Sequence, residues 1–170
     1  MTLTSKLVVS LDSTLTSALD LAQGSVPLRL REVLALADGT GAGRADKIFS
    51  DRRTLAASGT ESLDLAGGLT DAFGNVITFA RIKALLIVAA TGNTNNVVVG
   101  GAASNGFATP FGDATDKLVL RPGGLCLLTT GPADATAYAV TAATGDLLQV
   151  ANSGSGTGVT YDIVLIGASA

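Results

Sequence analysis

The sequence predicts an all-β fold: a single-domain β-sandwich, jelly-roll-like in type, with an extended N-terminal strand or arm. Three observations predict it. Twenty-one glycines are spread through the 170 residues. Val/Ile/Leu runs of about four to eight residues recur at roughly ten-residue spacing, each bounded by Gly, Pro, Asn or Asp. No segment joins a helical apolar period to helix caps over about ten residues, although Leu15 to Gln23 and Leu30 to Ala37 could each form a turn or two of helix. The chain divides into an extended arm over residues 1–14 and a sandwich over residues 15–170.

The elements follow in order. Leu3, Leu7, Val9 and Leu11 alternate with Thr4, Lys6, Val8 and Ser10, the two-residue period of a strand with one apolar face. After Asp12-Ser-Thr, the stretch Leu19-Asp-Leu-Ala is followed by Gly24-Ser-Val-Pro and by Leu28-Arg-Leu-Arg, which predicts a second strand pair with a turn. Asp38 to Asp46 is a glycine-rich loop in which Gly39, Gly41 and Gly43 supply positive φ or close backbone approach. Lys47-Ile-Phe and Arg53-Thr-Leu open a further extended stretch, ended by Ser58-Gly-Thr. The hexamer Ser62-Leu-Asp-Leu-Ala-Gly echoes Ala18-Leu-Asp-Leu-Ala-Gln, but the flanking residues do not repeat, so it reads as one local motif used twice.

Val76 to Val88 alternates at first and then becomes wholly apolar, the pattern of a central strand buried on both faces towards its end. Gly92-Asn-Thr-Asn-Asn is turn chemistry, and Val97-Val-Val leaves it as a strand. Strands at Lys117-Leu-Val-Leu, Leu125-Cys-Leu-Leu, Tyr138-Ala-Val-Thr, Leu147-Leu-Gln-Val and Val159 to Ile166 complete the series.

Composition narrows the chemistry. Histidine is absent, which removes the commonest general base near neutral pH and the commonest nitrogen ligand for metals. Cys126 is the only cysteine and lies in the apolar stretch Leu125 to Leu128, so it reads as a core thiol with no intrachain disulfide. The longest apolar run, Ala84 to Ala90, falls short of the roughly 20 residues of a membrane-spanning helix. The N-terminal residues lack a sustained apolar secretory core, so a soluble protein made in the cytoplasm is expected. Hydrophobic residues are 47% and charged ones 15% of the chain, the latter below the roughly 25% of ordinary soluble domains. Burial in an oligomer or larger assembly is expected from that deficit.

Charge is uneven. Residues 1–83 carry nine basic and nine acidic side chains, residues 84–170 two basic and five acidic. The balanced, arginine-rich first half suits a polar protein interface, and the acidic second half suits solvent. With a pI near 4.7, nucleic acid is not an expected partner, nor is a membrane.

Candidate sites weigh as follows. The G-x-G-x-G of Gly39, Gly41 and Gly43 has no following lysine and serine or threonine, so it is not a phosphate loop. Asp38, Asp46 and Asp51 could offer oxygens to calcium but lack the spacing of an EF-hand loop. Asp113 with Asp116, or Asp64 with Asp71, could be cast as a glycosidase pair, which needs an apolar pocket around its acid. Seven aromatics and no tryptophan make a sugar-stacking cleft a poor fit. No catalytic residue, cofactor or metal is assigned. The densest charged segment, Arg44 to Arg53, reads either as a solvated strand edge or as an ion-paired docking surface. The residues expected to bind a partner are Leu3, Lys6 and Leu7 in the first strand with Arg44, Lys47, Arg52 and Arg53.

The stretch from Leu34-Ala-Leu-Ala-Asp-Gly-Thr-Gly-Ala-Gly-Arg-Ala-Asp-Lys-Ile-Phe through Leu63-Asp-Leu-Ala-Gly, Asp71-Ala-Phe-Gly-Asn and Phe79-Ala-Arg-Ile-Lys resembles a group of tailed-bacteriophage virion proteins. So does the ending, Ala139 to Ser153 and Val159 to Gly167. The likeness is a whole-domain pattern over residues 15–168 and includes no catalytic motif. It implies a small non-enzymatic β-domain, a capsid cement or decoration protein seated as a homotrimer on the surface of the virion head, with the major capsid protein as partner. A tail, baseplate or receptor-binding module is the nearest alternative, and that role would expose Phe73, Phe107 and Phe111 in loops; a carbohydrate-active enzyme comes third.

Overall fold

The computed structural model describes residues 1–170. Period-2 alternation and β-branched runs give fourteen strands and no helix. They are β1 (Ser5–Ala18), β2 (Gln23–Asp38), β3 (Arg44–Ala45), β4 (Lys47–Leu55), β5 (Thr60–Asp64), β6 (Leu69–Thr70) and β7 (Val76–Ile77) in the first half. The second half holds β8 (Arg81–Ala89), β9 (Val97–Gly100), β10 (Lys117–Leu120), β11 (Leu125–Thr129), β12 (Tyr138–Ala139), β13 (Leu147–Asn152) and β14 (Val159–Ala168).

Two antiparallel sheets face each other. One has the order β11-β8-β14-β4, with β12 also on β8, and the other β10-β9-β13-β5. Their inner faces interdigitate in a core of 22 buried residues. Phe49, Leu85, Ile87, Tyr161, Ile163 and Leu165 come from the first sheet, and Leu63, Val97, Val99, Leu120, Leu148 and Val150 from the second. Alternation along each strand explains the division, since residues two apart share a face. The pairing is nested: β4 lies beside β14, β5 beside β13, and β8 and β9 then pair with those same late strands. The single strand expected over Val76 to Val88 is broken: Val76–Ile77 pairs with β6, and β8 begins at Arg81. β8 occupies the sheet interior between β11 and β14, but towards its end only Leu85, Ile87 and Ala89 are buried, and Leu86 and Val88 on the outer face are partly covered.

Near its start β8 carries a bulge. Ile166 pairs with Ala84 but Gly167 with Ile82, which leaves Lys83 without an opposite residue. Gly167 is required there, because a Cβ would lie 2.7 Å from the Phe79 ring and still closer to the Arg81 carbonyl. Lys83 is 1% exposed, and its ammonium donates to the Asp134 carbonyl at 2.9 Å. Burial, reinforced by Arg81, pulls its pKa below the usual lysine range.

The two sheets are also joined by a polar bridge. The buried Tyr161 hydroxyl of β14 donates to Glu61 of β5 at 2.7 Å, and Arg53 of β4 donates to Glu61 at 2.6 Å and to Asp51 at 2.7 Å. Burial and then the Glu61 carboxylate push the Tyr161 phenol far above its ordinary value.

The N-terminal region departs from the sequence reading. The extended segment does not stand alone over residues 1–14. It runs to Ala18 and pairs antiparallel with β2, from Ser5 opposite Leu36 to Ala18 opposite Gln23, while Ala37 and Asp38 of β2 pair with β3. The projecting element is therefore a hairpin of residues 5–38, because an isolated strand leaves its backbone groups without partners. The turn lies at Leu19 to Ala22, where the Leu19 amide donates to the Ala22 carbonyl, and Gly24-Ser-Val-Pro falls inside β2. Pro27 is tolerated because a two-stranded ribbon has free edges. The stretches with residual helical potential, 15–23 and 30–37, lie in this hairpin and not in helices.

Candidate assembly interface

Register assigns every hairpin side chain to a face. One face carries Leu7, Val9, Leu11 and Leu15 from β1 with Val26, Leu28, Leu30, Leu34 and Leu36 from β2; Glu32 is its only charge. The other carries Lys6, Ser10, Asp12, Thr14 and Thr16 with Ser25, Pro27, Arg29 and Arg31, and one apolar pair, Val8 opposite Val33. The ribbon is amphipathic. Fourteen paired residues at about 3.4 Å each make it about 48 Å long.

Only its root is covered. Leu36 is buried with Ala45, Ala84 and Ile166, and Leu3, Leu7, Leu34 and Val164 pack against them. The Leu3 amide donates to Asp38 at 2.9 Å, and Arg44 donates to the Asp38 carbonyl at 3.0 Å. Gly39 and Gly43 take φ of +126° and +64° to turn the chain there. Beyond the root the apolar face is bare. Ten of the sixteen large exposed hydrophobics of the whole chain lie in the hairpin, and Leu15 is 74% exposed. Burying half-exposed Val9, Leu11, Leu15, Val26, Leu28 and Leu30 would contribute roughly 1 kcal/mol each. A bare two-stranded ribbon is marginal in water, so this face is built to be covered.

A second uncovered apolar surface adjoins the root. Cross-strand pairing places Leu125 and Leu127 of β11, Leu86 and Val88 of β8, and Val164 of β14 on the outer face of the five-stranded sheet. Leu125 is 63% exposed. Arg52 of β4 and Asp162 of β14 border this surface, joined by two hydrogen bonds of 2.6 and 2.9 Å. Those bonds hold the Asp162 carboxyl below its usual range. A groove of about 240 Å³ runs between the two surfaces, lined by Leu7, Val9, Leu34 and Leu127 among others.

The residues expected to bind a partner are thus partly brought together. Leu3, Leu7 and Arg44 meet at the root of the hairpin, and Lys6 is exposed on its polar face. Lys47 lies 3.9 Å from Asp46. Arg52 and Arg53, consecutive in β4, point to opposite faces: Arg52 outward to Asp162, Arg53 towards the second sheet and Glu61. Sequence reasoning missed Leu11, Leu15, Leu28, Leu30 and Leu125. The alternation of Leu28 and Leu30 with Arg29 and Arg31 was the available signal, but a strand with one apolar face is normally a core strand.

Other candidate chemistry resolves into structural roles. Asp38 holds Leu3, and Asp46 accepts from the Ser169 amide and hydroxyl. Asp113 accepts from the Thr115 amide and hydroxyl, which lowers its pKa, opposite to the raised value a glycosidase acid needs. Asp116 is bound by the Asp113 amide. No group of three or more Cys, Asp or Glu side chains converges as metal ligands would. Cys126 is half-buried against the core, and burial raises its pKa, which disfavours the reactive thiolate. No helix is long and apolar enough to cross a membrane. Comparison with protein-family models, with curated proteins and with solved structures finds no match to this chain.

Proposed function

We propose that this chain is a non-enzymatic structural subunit of a large assembly and, in keeping with its resemblance to phage virion proteins, a capsid cement protein on the outside of the head. In this reading it binds the major capsid protein and its own copies, as a homotrimer, without a cofactor. The observation that carries the structural role is the amphipathic hairpin, whose apolar face has no partner within the chain. Many modest contacts repeated over a symmetric lattice give tight attachment without a catalytic cleft. The pairing of the first sandwich strand with the last, and of the second with the second-last, supports the jelly-roll reading of the fold.

A tail or receptor-binding module fits less well. Of the aromatics such a role would expose, Phe73 is 80% exposed, but Phe107 is 2% exposed and Phe111 packs against the core. The deciding experiment is quantitative mass spectrometry of purified particles, counting this chain against the major capsid protein. Hundreds of copies support head decoration, a handful supports the tail, and absence from particles defeats the virion reading.

A further inference from the structure

We propose that the outer two-thirds of the hairpin seats on the outer face of the five-stranded sheet of a second copy of this chain, so that copies join arm to sheet in a closed ring. This goes beyond the virion role and is tested without it.

The contact already exists once, within the chain. At its root the hairpin lays Leu7, Leu34 and Leu36 on Ala84, Val164 and Ile166, residues of that same outer face. Past the root, both halves of the contact are left open. The hairpin continues with Val9, Leu11, Leu15, Val26, Leu28 and Leu30, and the sheet continues with Leu86, Val88, Leu125 and Leu127. The chain cannot close this contact on itself. Its ladder runs from Ser5 to Ala18 without a register shift, so nothing bends the ribbon back onto its own sheet. On the sheet side, Arg52 and Asp162 at the border of the patch satisfy each other; on the arm, the one charge of the apolar face, Glu32, sits at the root end opposite Val9 and lines the groove of its own chain, and Lys6, Asp12, Arg29 and Arg31 would face water on the far side.

Area decides between a ring and a pair of hairpins packed face to face. From Val9 to Ala18 the ribbon offers about 34 Å by about 10 Å, a footprint near 340 Å². That is less than half of the roughly 800 Å² per partner of a stable interface. A subunit that donates one arm and accepts another doubles its footprint to about 680 Å², close to that value, and arm-to-sheet contacts that close, reciprocally in a ring of two or head to tail in a larger one, give every subunit both. Two hairpins facing each other would also leave the Leu125 surface bare.

The test is the molar mass of the purified full chain by light scattering, with no particles present. Wild type is expected at a multiple of 16.9 kDa. Three variants are expected at their own single-chain mass: Leu30→Asp on the arm and Leu125→Arg on the sheet, both with unchanged circular dichroism, and a shortened arm in which Asn-Gly joins Val9 directly to Glu32, which loses the strand signal of the removed ribbon and keeps a cooperative melt of the sandwich. The shortened arm keeps Leu7, Leu34 and Leu36, so it separates loss of assembly from loss of fold. A monomeric wild type overturns the proposal, and so does a Leu125→Arg or shortened-arm protein that assembles like wild type. Each of these outcomes leaves the copy-number test of the virion reading standing.

Discussion

Removing the Glu61 carboxylate should cost more than removing the Tyr161 hydroxyl it accepts from, and the two losses should overlap. Tyr161 is fully buried and Glu61 is its hydroxyl's partner at 2.7 Å; Arg53 holds the other carboxylate oxygen at 2.6 Å. A hydrogen bond to a charged group contributes about 1.5–3 kcal/mol. Tyr161→Phe keeps the ring and the Arg53 bond, so a loss near the lower bound, about 1.5 kcal/mol, is expected. Glu61→Ala strands the buried hydroxyl and leaves Arg53 with Asp51 alone, for about 3 kcal/mol. In the double variant the stranded hydroxyl is gone, so its loss should fall short of the sum by about 1 kcal/mol or more. For a chain of this size each kcal/mol moves Tm by about 2–4 °C. Calorimetry and urea unfolding at one fixed protein concentration measure all four states of the cycle. Strict additivity within about 0.3 kcal/mol would refute the claim that this bridge ties the sheets together.

Three further outcomes follow from the same geometry. Because the folded phenol of Tyr161 is raised far above its unfolded value, the folded state keeps a proton that the unfolded chain loses above about pH 10; stability should fall with pH there, and the wild-type slope should exceed that of Tyr161→Phe in urea titrations. For Lys83 the folded pKa is lowered, so the unfolded chain binds more protons between that value and about 10.4, and stability rises with pH across the interval. Lys83→Met, which keeps the stem and removes a buried ammonium, should raise stability at pH 7 by up to about 1 kcal/mol and flatten that rise; a loss above 1 kcal/mol would show that the bond to the Asp134 carbonyl outweighs burial. Gly167→Ala drives a Cβ into Phe79 and the Arg81 carbonyl and should cost about 1–3 kcal/mol, read as a drop in Tm; an unchanged Tm would mean that the bulge relaxes freely.

The sandwich was legible because its signals are local. Alternation fixed the inner residues of β13 and β14, and the glycines at 39 and 43 marked a loop that needs positive φ. Pairing was less legible. Leu3 to Leu11 and Leu28 to Arg31 both read as strands, but Gly24-Ser-Val-Pro carries stronger turn chemistry than Leu19-Asp-Leu-Ala, so the turn was expected inside what is the start of β2. The surface was least legible. A leucine in a strand says that one face avoids water, and it does not say whether the cover comes from the same chain; Leu30 and Leu165 look alike in sequence and differ completely in exposure. The arginine cluster shows the same limit, since consecutive Arg52 and Arg53 were grouped by sequence and separated by the pleat.

The nested strand order also sets a timetable. In the five-stranded sheet β14 lies between β4 and β8, so Asp51 and Ile87 must both wait for Ile163 before their strands are joined. On a ribosome the hairpin of residues 5–38 is a local structure that forms early, while the sheet meant to anchor its root lacks its middle strand until the last of the fourteen strands emerges. Pairings of such long range close in milliseconds to seconds, against microseconds for a hairpin. A nascent chain therefore displays a finished, greasy ribbon for most of its synthesis, a state in which neighbouring chains on one message can meet before either has folded.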